Sequence, residues 1–385
     1  MESGARDARE VRRSFEDLAD AEGDRIPVYA SLSRAIARHP ELHGLLLEAP
    51  VGQRLPVLLL AALHDVVLRH PDAPIAPWYP TVTPPPPPDG PPDDALRATV
   101  ELHRDELLDL LRHRQVQTNE VNRCVAWWIG LRHLGASAPE LSVALVELGT
   151  SAGLNLRLDD YAYRFDVRDG APLEVGRTDS AVRLGTQVRT GPWPELAGPL
   201  PPIATRVGLD RRPVDVTDPD DARWLRACVW PEQPVLQQRL AAALEAAAED
   251  PPLVVAGDLV HDVPDLLERC RADHPGPLHL VLLSSWVLAY ISRPDRSALH
   301  DALVEMAGAV VRDGGALTLL TLESDRVVPW APPPPLPAGA GADEQHASIL
   351  TATSYGPEHP GGATSTALAR CQAHLVWVDR LDERG

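Results

Sequence analysis

The chain has 385 residues, 36 basic against 55 acidic, with a net charge of −19 and 44% hydrophobic residues. That is enough apolar material for a buried core divided between roughly two domains. All 36 basic residues are arginine, and without lysine the Schiff-base aldolases, pyridoxal-phosphate enzymes and Walker-type NTPases are excluded. The negative excess repels a phosphate backbone, so no nucleic-acid partner is expected.

The N-terminal stretch is charged from its second residue and has no apolar segment of signal-peptide type. The longest apolar runs, at 57–63 and 278–291, are shorter than the about 20 residues that a bilayer span requires. The expectation is a cytoplasmic protein with no membrane partner. Cys124, Cys228, Cys270 and Cys371 stand far apart without a C-x-x-C pair and read as small core residues. No H-x-x-H or H-E-x-x-H pattern occurs among the 14 histidines, so no metal site is assigned from spacing, and a scattered Asp/His site stays open.

From 15 to 68 the apolar residues fall at helical spacing, as in Leu32, Ala35 and Ile36, with Pro27, Pro40, Pro50 and Pro56 as punctuation. Several short helices follow from that pattern. Residues 71–92 hold the run Pro84 to Pro88 and read as an extended surface connection. Asp93 and Asp94 are placed to cap a long helix over 95–114, and a second helix is expected over 120–134.

Beyond Leu141 short apolar runs alternate with helical stretches, at 143–148, 203–209, 253–256, 278–283 and 316–322. Strands alternating with helices predict an α/β fold with a doubly wound, Rossmann-like parallel sheet. The expected division is an N-terminal all-helical cap over 1–138 and a sheet domain over 139–385. Glycines and aromatic residues at about 161–202 predict a small β-rich insertion, a β-hairpin region.

The most informative stretch is Val143-Ala144-Leu145-Val146-Glu147-Leu148-Gly149-Thr150-Ser151-Ala152-Gly153-Leu154-Asn155. A hydrophobic strand enters a turn with two glycines four apart, which lets the backbone approach a ligand at the strand's carboxyl end. The turn resembles that of S-adenosylmethionine-dependent methyltransferases, with Glu147 two residues before the first glycine. It also reads as G-x-S-x-G, the nucleophile elbow of serine hydrolases, with Ser151 as nucleophile. No His-Gly oxyanion loop precedes it, whereas the later strand ends suit a cofactor. Asp210 ends the second strand and is placed for ribose hydroxyls. Asp258 ends the third and is placed for an adenine amino group, with Leu259 against the ring. The Gly314-Gly315 turn leads into the fifth strand.

Gln117-Thr118-Asn119-Glu120, Arg123-Cys124, the Glu147 to Leu156 turn, Pro213 to Asp218 and Trp230-Pro231-Glu232-Gln233 resemble the bacterial family called domain of unknown function 2332. The likeness extends over nearly the whole chain. That family is in turn similar to Rossmann-type methyltransferases at its sheet motifs. The resemblance implies S-adenosylmethionine as cofactor, held by Gln117, Glu147, Gly149, Thr150, Ser151, Gly153, Asn155, Asp210, Asp258, Leu259 and Ser284. Ser151 stands where many methyltransferases have a third glycine.

Asn119 and Glu120, at the junction of cap and sheet domain, are expected to orient an acceptor, or else to cap a helix. Ser285 and Tyr290 are candidates to relay a proton, and Trp286 to stack on a ring. Trp224 and Trp230 are candidates for the adenine wall or for packing. Three functions stand on this reading: methyl transfer to a small acceptor, a serine hydrolase built on Ser151, and a nucleoside-binding regulator without turnover.

Overall fold

Proline sets the starts of the N-terminal helices, because its fixed φ suits the first helical turn, where its missing N–H costs nothing. In the computed structural model, which describes residues 2–23, 25–137, 140–337 and 339–381, Pro27, Pro40 and Pro56 each open a helix. The helices are α1 (Glu2–Glu22), α2 (Pro27–Arg38), α3 (Pro40–His43), α4 (Pro56–Arg69), α5 (Asp93–Leu102) and α6 (Arg104–His113). The one long helix expected over 95–114 is broken at His103, whose backbone leaves helical geometry while its N–H still bonds the Thr99 carbonyl. Asp93 makes no side-chain cap; its carboxylate instead takes two hydrogen bonds from Arg38.

The chain forms two compact units. The smaller joins Met1–Thr118 to Asp215–Ala241, and the larger joins Asn119–Val214 to Ala242–Gly385. The smaller unit is helical, with Phe15, Ile26, Tyr29, Leu32, Ile36 and Trp224 in one buried cluster. Helix Pro219–Ala227, α8 in chain order, adds Trp224 to it; the indole N–H of that residue bonds the Gln115 carbonyl. Trp230 packs against the same core, so both tryptophans are packing residues of the helical unit.

The larger unit begins with a short turn at Val121–Arg123 and α7 (Cys124–Ser137). The expected helix over 120–134 thus starts later, and α7 belongs with the sheet. It is apolar on most sides, with Cys124, Val125, Ala126, Trp127, Ile129 and Leu131 all buried, as a helix enclosed by other elements must be.

The larger unit is mixed α/β around an eleven-stranded sheet. Its strands are β1 (Ser142–Leu148), β2 (Ala162–Val167), β3 (Leu173–Gly176), β4 (Arg183–Val188), β5 (Ile203–Asp210), β6 (Val254–Ala256), β7 (Leu278–Ser285), β8 (Ala316–Ser324), β9 (Ser348–Tyr355), β10 (Ala363–Cys371) and β11 (Trp377–Arg380). The order is β3-β2-β4-β11-β10-β9-β8-β7-β1-β5-β6, with β6, β5, β1, β7 and β8 parallel. Strands buried on both faces need continuous apolar runs; every residue of β7 and all but the first of β1 are buried.

The five strands expected from the apolar runs are these five. The expected insertion is more than a hairpin. β2 pairs antiparallel with β3 and parallel with β4, and β4 joins the far edge of the same sheet through β11. Helices α9 (Pro234–Glu249), α10 (Val263–Ala272) and α11 (Arg293–Arg312) lie between the parallel strands in sequence, and α12 (Ala342–Gln345) precedes β9. α11 is capped by Ser292, which accepts the Asp295 N–H at 3.2 Å. It buries Leu299, Leu303, Ala307 and Val310, the one-face spacing of an amphipathic helix. Among the described residues no helix is long and apolar enough to cross a membrane.

Candidate functional site

The chain runs outward from β1 through β5 to β6 and returns to β7 on the other side of β1. Ligands of open α/β sheets bind at such a reversal, beyond the carboxyl ends of the strands. Here Glu147, the penultimate residue of β1, is 3% exposed. One of its oxygens accepts the Thr150 hydroxyl and the other the Asn155 amide, at 2.8 Å. Burial pushes its pKa up to about 7, against the lowering pull of those two hydrogen bonds and of Arg123. Cys124 Sγ lies 3.3 Å from Asn155 Oδ1, its thiol pKa pushed well up by burial and by Glu147.

Gly149 and Gly153 hold φ of +67° and +71°, the left-handed region that glycine enters freely. A Cβ on Gly149 would stand 2.5 Å from Val287 Cγ2, and one on Gly153 2.8 Å from Pro252. The space a Cβ would occupy at both glycines is therefore filled by the protein's own side chains. Ser151 is also left-handed, at φ +54°. Its N–H donates to Asp210 Oδ2 at 2.8 Å, while its buried hydroxyl has no hydrogen-bond partner.

Asn119 donates its amide to the Thr150 carbonyl at 2.7 Å and leaves its own Oδ1 buried without a partner. A cation stands near this turn. Arg123 is part-buried, with Nη1 at 3.3 Å from both the carbonyl and the hydroxyl oxygen of Ser285. Burial lowers its pKa, and the carboxylates of Glu120, Glu323 and Glu147 raise it.

Glu120 accepts the Asn122 N–H through one oxygen and meets His374 Nδ1 at 3.1 Å through the other. Glu323, near the end of β8 and 1% exposed, accepts the N–H groups of Val287 and Leu288, each at 2.9 Å. Burial pushes it up to about 7 as well. One guanidinium among three buried carboxylates leaves the cluster electronegative and suits it to a cationic group. Two carboxyls that titrate near neutrality can also accept or release a proton there.

The other expected site residues are placed as follows. Ser284 and Ser285 are the last two residues of β7; the Ser284 hydroxyl is buried without a partner. Tyr290 ends a short turn, 87% exposed, and contributes to the field at Arg123. The Trp286 indole N–H bonds Ser348 Oγ at 3.2 Å. Asp210 closes the turn through Ser151 N–H and the Arg212 N–H.

Asp258 is committed elsewhere. It accepts Val260 N–H, the Arg211 guanidinium and His261, which hold its carboxyl far below the usual carboxylate range. These partners come from its own loop and from Arg211 just after β5, and Leu259 beside it is buried in the core with Val263 and Leu288. Gln117 lies in the helical unit.

Sequence reasoning gave no role to Glu323, and the cofactor reading gave none to Arg123 or His374. Glu323 carried a legible signal, a carboxylate near the end of a buried apolar strand, which is the feature that marked Glu147. Arg123 was marked only as part of a family motif, and the pairing of His374 with Glu120 carried no signal, since 254 positions of sequence part them.

An α/β protein with a polar, carboxylate-rich cluster at the carboxyl ends of its parallel strands is the class these features define. The chain belongs to the family described as "Uncharacterized protein conserved in bacteria (DUF2332)", which it matches over residues 12–380. No curated protein matches it.

Proposed function

We propose that the larger unit has a Rossmann-type methyltransferase core, binds S-adenosylmethionine and transfers its methyl group to a small acceptor. The observation that carries the reading is the strand order β6-β5-β1-β7-β8 with the Glu147 turn at the point of reversal. The buried, unpartnered oxygens of Asn119, Ser151 and Ser284 and the three carboxylates around Arg123 fit a ligand that bears a sulfonium and an amino acid group. When bound, the cofactor would supply an electrophilic methyl carbon and a neutral sulfide as its leaving group.

The chain's own part is to orient and to take a proton. Arg123 is the cation available to a carboxylate. Glu147 and Glu323 set the negative field. Glu120 accepts the acceptor's proton and is linked to solvent through the half-exposed His374. Asp210, already bonded to Ser151 N–H, faces the ribose. The deciding experiment is calorimetry of ligand-stripped protein with S-adenosylmethionine and S-adenosylhomocysteine. Binding of both is expected, weakened by about 1 to 3 kcal/mol in Asp210→Ala. Neither heat nor thermal shift with either ligand at millimolar concentration overturns the reading.

One observation favours a second reading. Ser151 combines G-x-S-x-G with a positive φ, the strained turn of a nucleophile elbow. Labelling of Ser151 by a fluorophosphonate, lost in Ser151→Ala, would establish the hydrolase instead.

A further inference from the structure

We infer that His70, His103 and Glu106, in the helical unit, form a binding site for a divalent transition metal ion of the zinc type. His70 closes the C-terminus of α4, where its backbone N–H bonds the Val66 carbonyl at 2.8 Å. His103 stands at the break between α5 and α6, pinned by its N–H to Thr99 and by its carbonyl to the Leu107 N–H, both at 3.0 Å. Glu106 lies in the first turn of α6. All three backbones are fixed by the helices that meet there, and only the side chains need to settle around an ion.

The ligand atoms converge. Glu106 Oε2 is 3.0 Å from His70 Nε2 and 3.6 Å from His103 Nδ1, and one ligand atom from each residue lies within 4.8 Å of the others. Zn–N and Zn–O bonds of about 2.0 to 2.1 Å at tetrahedral angles put neighbouring ligand atoms ~3.3 Å apart. The two separations lie on either side of that length. His70 Nε2 and Glu106 Oε2 at 3.0 Å also make a hydrogen bond, but a hydrogen-bonded cluster leaves out His103 Nδ1, which at 3.6 Å from the same oxygen is beyond hydrogen-bond reach. The two imidazoles stack with centroids 4.3 Å apart and planes 26° apart, so a shared ion requires one ring to turn about its side-chain bonds and bring its in-plane lone pair to the ion.

The surroundings fit a bound cation. Arg69 Nε holds the other Glu106 oxygen at 2.8 Å, which orients the carboxylate as outer-shell partners of metal ligands do. The buried Asp65 carboxylate, 3.5 Å from Arg69, offsets the charge of that arginine. Two imidazoles and one carboxylate are the donor set of zinc and its neighbours. The three ligand side chains are part-exposed, which leaves a fourth position for water.

The test uses the full chain, stripped with chelator, titrated with Zn2+ by calorimetry and with Co2+ by its visible d–d absorption. One equivalent should bind, with affinity reduced at least tenfold in each of His70→Ala, His103→Ala and Glu106→Gln. His39→Ala, which removes another histidine of this unit beside Glu41 and Asp93, should leave binding unchanged. Should an alanine variant fail to fold, His103→Gln keeps the side chain's bulk. The wild type should then melt higher with Zn2+ than without it, and that variant should not. No binding of either ion, or binding that survives loss of His103, overturns the assignment.

Discussion

Glu147→Gln replaces a buried carboxylate by a neutral group of nearly the same shape. The glutamine carbonyl still accepts from Asn155, and Thr150 can accept from the new amide instead of donating. In the folded protein burial pushes the Glu147 pKa from 4.5 to about 7. Between those values the fold keeps a proton that the unfolded chain releases. The stability associated with this group is therefore fully present below about pH 4.5 and is lost as pH rises through about 7. At about 1.36 kcal/mol per pKa unit, the ionised side chain costs ~3 kcal/mol at pH 8.

The variant should accordingly match the wild type near pH 4.5 and exceed it by up to ~3 kcal/mol at pH 8. The measurement is urea unfolding of both proteins across pH 5 to 8, together with hydrogen exchange at the β1 amides, which reads the larger unit directly. His64 and His279 also change stability over this range, since burial pulls their pKa values down from 6.5 to about 4 in the fold and only the unfolded chain takes up their protons there, but they are common to both proteins and cancel in the difference. A difference that stays constant from pH 5 to pH 8, or a variant less stable at pH 8, refutes the reasoning. In the proposed function the same substitution weakens S-adenosylmethionine binding, so the gain in stability is accompanied by a loss at the site.

Gly149→Ala should destabilise by about 2 to 4 kcal/mol, because it combines a left-handed backbone with a Cβ 2.5 Å from Val287. Val287→Ala in that background should return only the steric share, as read by urea midpoints. Ser151→Gly should stabilise by about 1 kcal/mol by relieving its positive φ and should keep cofactor binding, whereas a hydrolase would lose its turnover. His279 is neutral in the fold and bonds Thr318 Oγ1 at 2.9 Å. The wild type therefore loses stability as pH falls from about 6.5 to about 4, by ~3 kcal/mol for this group, and His279→Gln should flatten that part of the pH profile.

Much of the parallel sheet was legible because strands buried on both faces must be continuous apolar runs, and those at 143–148 and 278–283 stand out from any helical period. The prolines at 27, 40 and 56 likewise marked helix starts through the chemistry of their own residues. β9, β10 and β11 gave no such signal. Ser348–Tyr355 and Ala363–Cys371 are rich in Ser, Thr and Ala, and their strand character comes from pairing across the sheet. The break at His103 was hidden for a related reason, since the helical period runs on through it.

The site divides in the same way. Sequence alone determined the glycine turn and the buried carboxylate of Glu147, which are adjacent in the chain and governed by local backbone geometry. Only the tertiary structure decided that Arg123, Glu323 and Glu120 share one field with it, that His374 meets Glu120, and that Asp258 pairs with Arg211. Apolar periodicity and turn chemistry act over a few residues. Electrostatic clusters depend on which strand ends the sheet order brings together, and residues 120 and 374 become neighbours through that order alone.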